Sequence, residues 1–276
     1  MNSEIRITIL AENSTADSAF LTEHGLSLWI EHGSRRVLFD TGQSDQLVHN
    51  AKALGIDLGQ AEAVVLSHGH YDHTGGLATV LDIAPQAKVY LHPAAIESKF
   101  SRRGSELRPI GMSALARQAL DGRDVSWTAA AAEIVPGVTV TGQVPRNTDF
   151  EEVDAAFFLD KDCEKPDQLA DDQTLFVESG DGLVVIAGCA HSGIVNTLDY
   201  VAELTGRTTM HAVIGGMHLI RASQTRIART IEAFRKYEVR KIVPLHCTGQ
   251  AAVESFREAF GDRCLSLGVG GQLRFR

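Results

Sequence analysis

Short apolar runs alternate with amphipathic segments along most of the chain. The apolar runs, several of them rich in β-branched residues, are typical of buried or half-buried strands. They predict strands at Ile5–Leu10, Leu26–Glu31, Arg36–Phe39, Ala63–Leu66, Lys88–Leu91, Val138–Thr141, Ala156–Leu159, Leu175–Val177, Leu183–Ala187, Met210–Ile214 and Lys241–Val243. Helical spacing of apolar residues predicts helices at Asp45–Leu54, Gly76–Ile83, Ile194–Thr205, Ser223–Lys236 and Ala251–Phe260. Two further short strands are expected at the C-terminal end. Early strands come as hairpins and later strands alternate with helices, which predicts an α/β chain with two mixed sheets and helices outside.

The stretch from 98 to 132 breaks this pattern. It has weak periodicity and contains Arg102, Arg103, Arg108, Arg117 and Arg123. We expect an insertion or lid there, within a single domain that spans residues 1–276.

Composition narrows the class of protein. The 276 residues are 44% apolar and 22% charged, as in ordinary globular proteins, and no apolar run is long enough to cross a bilayer. The net charge of −9 disfavours a nucleic-acid partner. The four cysteines form no C-x-x-C pair, and the N-terminus lacks the basic start and apolar block of a signal peptide. We therefore expect a cytoplasmic protein with reduced thiols, no nucleic-acid or membrane partner, and a possible homo-oligomer.

The motif with the clearest chemistry is Ser67-His68-Gly69-His70-Tyr71-Asp72-His73-Thr74-Gly75-Gly76, directly after a predicted buried strand. Imidazole and carboxylate together suit zinc, iron and manganese. Residues two apart in an extended turn point the same way, so His68 and His70 can share one ion. Asp72 and His73 then point towards a second ion. The alternative, a histidine-rich surface loop, explains poorly why the cluster follows a buried strand.

Three more histidines follow apolar strands, next to small or turn-forming residues. They are His191, His218 and His246. Each one alone is as well explained by a packed or capped histidine as by a metal ligand. Together with the motif, all three are candidates for the same site. The remaining histidines, among them His24, have no such setting and are expected at the surface or in packing contacts.

These residues resemble the metallo-β-lactamase superfamily, whose signature is H-x-H-x-D-H after a strand. Val37-Leu38-Phe39-Asp40-Thr41-Gly42 resembles a further segment of that superfamily, in which the aspartate supports the metal-binding loop. The segments around Gly188–Asn196, Gly215–Leu219 and Pro244–Gly249 are similar to one branch, named dihydropterin-methyl-ribofuranosyl-aminobenzene-phosphate synthase-like. The resemblance implies an αββα sandwich of two mixed sheets with helices on the outer faces. It also implies a supporting role for Asp40.

The chain departs from the common pattern of the superfamily in two places. Gln143 and Val144 stand where many members carry a histidine, and Cys189 stands where many carry a bridging aspartate. His191 is therefore expected as the third ligand of the first ion, and His246 as the third ligand of the second. The bridge could be water alone or could involve Cys189, and a buried, inert Cys189 is an equal alternative.

The resemblance implies a reaction as well as a fold. Two divalent ions, zinc first and manganese or iron as alternatives, would supply a metal-bridged hydroxide. We expect a metal-dependent hydrolase of a small anionic ester, preferably a phosphate ester. Asp72 and His218 are the catalytic candidates, and Arg108 and Arg146 are candidates for binding the anionic group. The alternatives are a synthase-type transferase of the named branch, an iron-dependent oxidoreductase, and a metal-binding module without catalysis.

Overall fold

Two large mixed sheets form the centre of the molecule, and the computed structural model describes residues 4–276. The first sheet has seven strands in the spatial order β16-β1-β2-β3-β4-β5-β8. Its strands are β1 (Ile5–Ala11), β2 (Ser27–His32), β3 (Arg35–Phe39), β4 (Ala63–Val65), β5 (Lys88–Leu91), β8 (Val125–Trp127) and β16 (Gln272–Phe275). The second sheet has six strands in the order β15-β14-β13-β12-β10-β9. Its strands are β9 (Ala132–Val135), β10 (Val138–Val140), β12 (Thr174–Ser179), β13 (Gly182–Ala187), β14 (Met210–Gly216) and β15 (Lys241–Leu245).

Helices cover the outer face of each sheet. They are α1 (Gln46–Ala53), α3 (Leu77–Ile83), α4 (Ala114–Gln118), α5 (Ile194–Thr205), α6 (Gln224–Lys236) and α7 (Gln250–Phe260), and a short helix, α2 (Tyr71–Thr74), follows β4. Short 3₁₀ turns lie at Leu58–Gln60, Pro93–Ile96, His246–Thr248 and Gly261–Arg263. Within residues 4–276, no helix combines the length and the apolarity needed to cross a membrane.

Three apolar layers hold these elements together. Residues such as Ile30 and Ile214 fill the space between the two sheets. Leu81 belongs to the layer under α1, α3 and α4, and Leu198 and Phe234 belong to the layer under α5, α6 and α7. Strands that bury both faces read as continuous apolar runs, which is why the sequence shows them clearly. The result is the expected αββα sandwich.

The stretch 98–132 divides into two parts. The hairpin of β6 (Phe100–Arg103) and β7 (Glu106–Pro109) pairs with β11 (Phe157–Phe158) in a separate three-stranded sheet. The remainder returns to the main body, because β8 pairs in parallel with β5 and Ala116 of α4 packs into the core. Only the hairpin therefore stands apart from the sandwich.

The C-terminal end differs from the expectation of two short strands. Only β16 forms there within the described residues, and Val269 makes a single bridge to Thr15. Gly268 lies so close to this segment that a Cβ there would overlap the carbonyl oxygen of Ser14. Three of four consecutive residues in this segment are glycines, namely Gly268, Gly270 and Gly271. The segment therefore has little side-chain surface with which to stabilise a strand.

Several parallel strands of the two sheets end at one edge of the molecule. β3 and β4 run parallel in the first sheet, and β13, β14 and β15 run parallel in the second. Four non-glycine residues just after these strands adopt a left-handed backbone, with φ of 58° at Asp40, 51° at Ala190, 43° at His218 and 51° at His246. Such conformations are costly and concentrate at functional sites. They turn each chain sharply at the same edge.

Candidate metal centre

The H-x-H-x-D-H motif begins where β4 ends. His68 and His70 lie in the turn after the strand, and Asp72 and His73 lie on the short helix α2. A Cβ at Gly69 would overlap the carbonyl oxygen of Ala95, so this glycine allows a close approach of two backbones. That packing, rather than a left-handed φ, explains the glycine.

The first group of metal donors consists of His68, His70 and His191. One ring nitrogen from each lies within 4.8 Å of the others, and all three residues are buried. His68 Nε2 and His70 Nδ1 are 2.9 Å apart. Both ring nitrogens of His191, and Nε2 of His70, are buried without a hydrogen-bond partner among the described residues. Buried polar atoms are rarely left unpaired, and a metal ion would satisfy these.

The protonation of this group suits a metal. Burial lowers the pKa of His70 to about 3 and holds the pKa of His68 and His191 well below the usual value. The rings are therefore neutral near pH 7 and keep a lone pair for coordination.

The second group consists of His24, Asp72 and His246. The Nε2 atoms of His24 and His246 each lie 3.2 Å from Asp72 Oδ2. His73 adjoins them, with its Nε2 3.3 Å from His246 Nε2. His24 was expected at the surface, and its contact with the motif is a feature that the sequence did not reveal. It lies in an irregular segment between β1 and β2, where no periodicity indicates which way a side chain points.

The electrostatics of the second group favour positive charge. Burial opposes the charged form of His73, but Asp40 and Asp72 outweigh it and raise the pKa of His73 to about 9. Burial would also raise the pKa of Asp72, yet His73, His24 and His246 hold it well below the usual value. The carboxylate of Asp72 is therefore anionic, in a place where the protein stabilises a cation.

Asp40 holds the motif in place through contacts with Ser67 and His73. Its Oδ1 accepts a hydrogen bond from the backbone N–H of Ser67 at 2.7 Å. Its Oδ2 lies 2.7 Å from the Ser67 hydroxyl and 2.6 Å from His73 Nδ1. A proton on Nδ1 of His73 leaves Nε2 free to coordinate, which is the usual effect of a carboxylate behind a metal-binding imidazole. The position matches the supporting role expected from the resemblance.

Residues from other elements hold the backbone and side chains of further candidate ligands. Asp171 Oδ2 accepts a hydrogen bond from the backbone N–H of Gly69 at 2.7 Å, and Gly69 lies between His68 and His70 in the motif. Glu12 Oε1 accepts from the backbone N–H of His246 at 2.5 Å, and Asn13 Oδ1 lies 3.2 Å from its Nδ1. The sequence gives no signal for these partners, because each is separated by more than a hundred residues from the group it holds.

Both donor groups face a cavity of about 580 Å³. Its floor includes His70, Asp72, His191, His218, His246, Cys189 and Cys247, and its walls include Tyr71, Ile110, Phe157 and Ile220. Arg103, Arg108 and Arg221 lie on its rim, two of them from the β6–β7 hairpin. The cavity thus combines metal donors, an apolar wall and guanidinium groups.

The two arginines expected to bind substrate are placed differently. Arg108 lines the cavity, although its guanidinium also contacts Glu106. Arg146 is not among the lining residues, and its Nη2 donates to the carbonyl oxygen of Gln168 at 3.2 Å. Arg221, which the sequence did not single out, lies on the rim instead.

His218 and Cys189 also lie at the cavity. Nε2 of His218 is 3.9 Å from Asp154 Oδ2, and its ring lies 4.3 Å from the ring of His191, centroid to centroid. Cys189 Sγ is 3.2 Å from His73 Nε2. Every residue predicted for the site except Arg146 thus lies at or next to this cavity, with Arg108 reaching it from the hairpin.

Sequence comparison assigns the fold to a known family. The family model of the metallo-beta-lactamase superfamily matches residues 22–244. The 7,8-dihydropterin-6-methyl-4-(beta-D-ribofuranosyl)-aminobenzene-5'-phosphate synthase of Methanocaldococcus jannaschii is 30% identical, over 98% of this chain and 97% of its own. The chain belongs to the metallo-β-lactamase superfamily, and it resembles the branch that this synthase represents.

Solved structures agree with this assignment. One is a metal-dependent hydrolase of the beta-lactamase superfamily, 34% identical, with a TM-score of 0.84 and 98% of both chains covered. Zn²⁺-bound PqqB from Methylobacterium extorquens has a TM-score of 0.58 at 17% identity, over 97% of this chain and 99% of its own, and supports the fold alone. The fold and the donor groups together indicate divalent-metal binding.

Proposed function

We propose that the protein is a metal-dependent hydrolase of a small anionic ester, with a phosphate ester as the favoured substrate. The observation that carries this proposal is that two groups of metal donors and three arginines line the same cavity. Metal ions and guanidinium groups are the two devices that proteins use most to bind phosphoryl oxygens. The similarity to a solved metal-dependent hydrolase supports the reaction class.

His68, His70 and His191 would hold one divalent ion, and Asp72, His73 and His246 a second, with His24 as an additional donor beside Asp72. Such ions lower the pKa of water towards neutrality and neutralise charge on the reacting group. Zinc is the favoured metal, because imidazole and carboxylate suit it well.

The chain's own residues would bind and orient the substrate. Arg108 and Arg221 lie on the rim, where each guanidinium can donate two parallel hydrogen bonds to phosphate oxygens. Phe157 and Ile110 line the wall and can pack against an apolar part of the ester while excluding water. Asp72 Oδ2 lies 3.2 Å from Nε2 of His24 and from Nε2 of His246, which places its carboxylate at the cavity floor beside both imidazoles.

A synthase-type transferase is the second candidate, and the full-length similarity to the M. jannaschii synthase favours it. In that reaction an aromatic amine, rather than water, would attack a dihydropterin that carries a leaving group such as diphosphate. The same cavity floor would then bind the leaving group. The two candidates differ in the nucleophile and not in the metal centre.

The nucleophile can be identified directly. Metal-loaded protein is incubated in ¹⁸O-water with aryl phosphate esters, and separately with dihydropterin-methyl diphosphate with and without aminobenzene ribofuranosyl phosphate. A hydrolase releases phosphate from the esters without an amine and incorporates ¹⁸O. Diphosphate release that requires the amine, with no ester hydrolysis, would reject the hydrolase in favour of the transferase. No turnover of any of these compounds would reject both.

Asp72→Asn is the matched variant for this assay. It keeps the shape of the side chain and removes its charge, so turnover should fall by orders of magnitude while the fold persists. Asp262→Asn, at an exposed position in the 3₁₀ turn after α7 and outside the cavity lining, serves as the control and should keep full activity.

A further inference from the structure

A third cluster of metal-binding side chains lies beside the two donor groups described above. Cys189, His218 and Cys247 follow the neighbouring strands β13, β14 and β15. One ligand atom from each lies within 4.8 Å of the other two. None of the three belongs to the H-x-H-x-D-H motif or to either of the two groups.

The cluster is buried but borders the cavity. Cys189 is 3% exposed and Cys247 is 7% exposed, and both line the cavity with His218. Gly216 makes room for one thiol, because a Cβ there would lie 2.8 Å from Cys247 Sγ. The side chains therefore meet in a space that opens towards the cavity.

One nitrogen of His218 is available to this cluster. Its Nε2 faces Asp154 at 3.9 Å. Its Nδ1 is buried and has no hydrogen-bond partner in residues 4–276. An unpaired buried nitrogen beside two thiols is costly unless a ligand occupies the space between them.

The donor chemistry selects a particular kind of ion. Two thiolates and one imidazole suit thiophilic divalent ions such as zinc, iron and cobalt, and not magnesium or calcium. Metal bonds of about 2.3 Å to sulfur and about 2.0 Å to nitrogen place tetrahedral donor atoms roughly 3.5–3.8 Å apart, so small side-chain movements would close the cluster around an ion. Two thiolates also balance the charge of a divalent ion, which removes the cost of burying it.

We propose that Cys189, His218 and Cys247 form a separate site for a thiophilic divalent cation, next to the histidine and aspartate centre. Cys189 joins the two, because its Sγ lies 3.2 Å from His73 Nε2. His218 then acts as a ligand, in place of the substrate-orienting or proton-donating role expected from the sequence. Three protein ligands leave a fourth position open towards the cavity. The proposal does not depend on which reaction the protein catalyses.

Cobalt provides the test, because thiolate bound to Co²⁺ gives a near-ultraviolet charge-transfer absorption that histidine and carboxylate do not. The wild-type protein and the variants Cys247→Ser, His218→Gln and Cys264→Ser are loaded with Co²⁺ anaerobically under reducing conditions. Bound cobalt is counted by elemental analysis and the spectrum is recorded. Cys264 is a buried cysteine outside every group of metal donors found in residues 4–276, so it controls for the loss of a thiol.

We expect Cys247→Ser and His218→Gln each to bind one cobalt fewer than the wild type and to lose charge-transfer absorption. Cys264→Ser should match the wild type in both measurements. The proposal is overturned if Cys247→Ser and His218→Gln keep the wild-type cobalt content, or if their charge-transfer absorption is unchanged.

Discussion

At the scale of single residues, Asp40 shows how a side chain outside the cavity controls the centre. It is fully buried and contacts His73 and Ser67, but it does not line the cavity. Its left-handed backbone aims the carboxylate back under the motif. The residue therefore sets the orientation of His73, a candidate metal ligand, without lying at the cavity itself.

Replacing Asp40 with asparagine tests this role. An amide offers one acceptor oxygen where the carboxylate offers two, so His73 and Ser67 lose a shared partner. We expect metal affinity to fall roughly 10–100-fold, as for other partners of metal-bound histidines. Competition with a chromophoric chelator measures the affinity. Asp45→Asn, at the exposed start of α1, should leave it unchanged, and equal affinity in the Asp40 variant would show that Asp40 does not support the centre.

The sequence predicted these residues unevenly, for physical reasons. His68, His70, Asp72 and His73 form a continuous motif, so spacing alone identifies them. His191 and His246 could be proposed because they follow apolar strands, although position after a strand does not specify a contact. His24, Asn13 and Arg221 could not be predicted, because each lies in an irregular segment whose direction depends on tertiary packing. Arg146 was proposed from charge alone, which does not indicate which surface a side chain faces.

At the scale of secondary-structure elements, the β6–β7 hairpin is tied to the metal-binding loop by a buried ion cluster. Lys99, directly before β6, is 2% exposed and lies 2.8 Å from Asp167 and 3.0 Å from Asp171. Asp171 in turn accepts from the backbone N–H of Gly69. The hairpin that carries two rim arginines is therefore fixed relative to the metal ligands.

Lys99→Met should be strongly destabilising, because it leaves two buried carboxylates without their cation. Breaking a buried ion pair in this way costs about 3–5 kcal/mol of unfolding free energy. Lys88→Met is the matched control, since Lys88 makes a solvent-exposed 3.7 Å ion pair with Asp124, of a kind that contributes at most about 1 kcal/mol, and a 5.5 Å contact with the Tyr90 ring. Urea unfolding followed by circular dichroism gives both values. Equal stability of the two variants would contradict the anchoring role.

The same region shows where pattern reasoning fails at this scale. The strands β6, β7 and β8 between 98 and 132 are short, and their side chains are mostly exposed or half-buried. They lack the apolar alternation that identifies a strand, so the sequence predicts one insertion or lid for the whole segment. The structure assigns its second half to the sandwich. The parallel pairing of β8 with β5 places this half in the sandwich. The two strands are far apart along the chain, so the local sequence does not indicate that they pair.

At the scale of the whole molecule, the sandwich brings two sheets together so that their parallel strands end at one edge. The first sheet contributes the motif after β4, and the second contributes His191 and His246 after β13 and β15. The fold could be predicted from sequence because strands that are buried on both faces alternate with amphipathic helices. The convergence of the two sheets on one cavity depends on how they pack, and the sequence indicated it only through the histidines that follow apolar strands and through the family resemblance.

The most direct test of the central claim is the metal content of protein purified without added metal, compared with that of three variants. Elemental analysis of the wild type, His191→Ala, His246→Ala and the double variant counts the ions that each group holds. His49→Ala, at an exposed position on α1, controls for the loss of an imidazole. Each single variant should lose one ion per chain relative to the wild type, and the double variant should lose two. A double variant that keeps the full wild-type content would contradict the assignment of both groups as metal ligands.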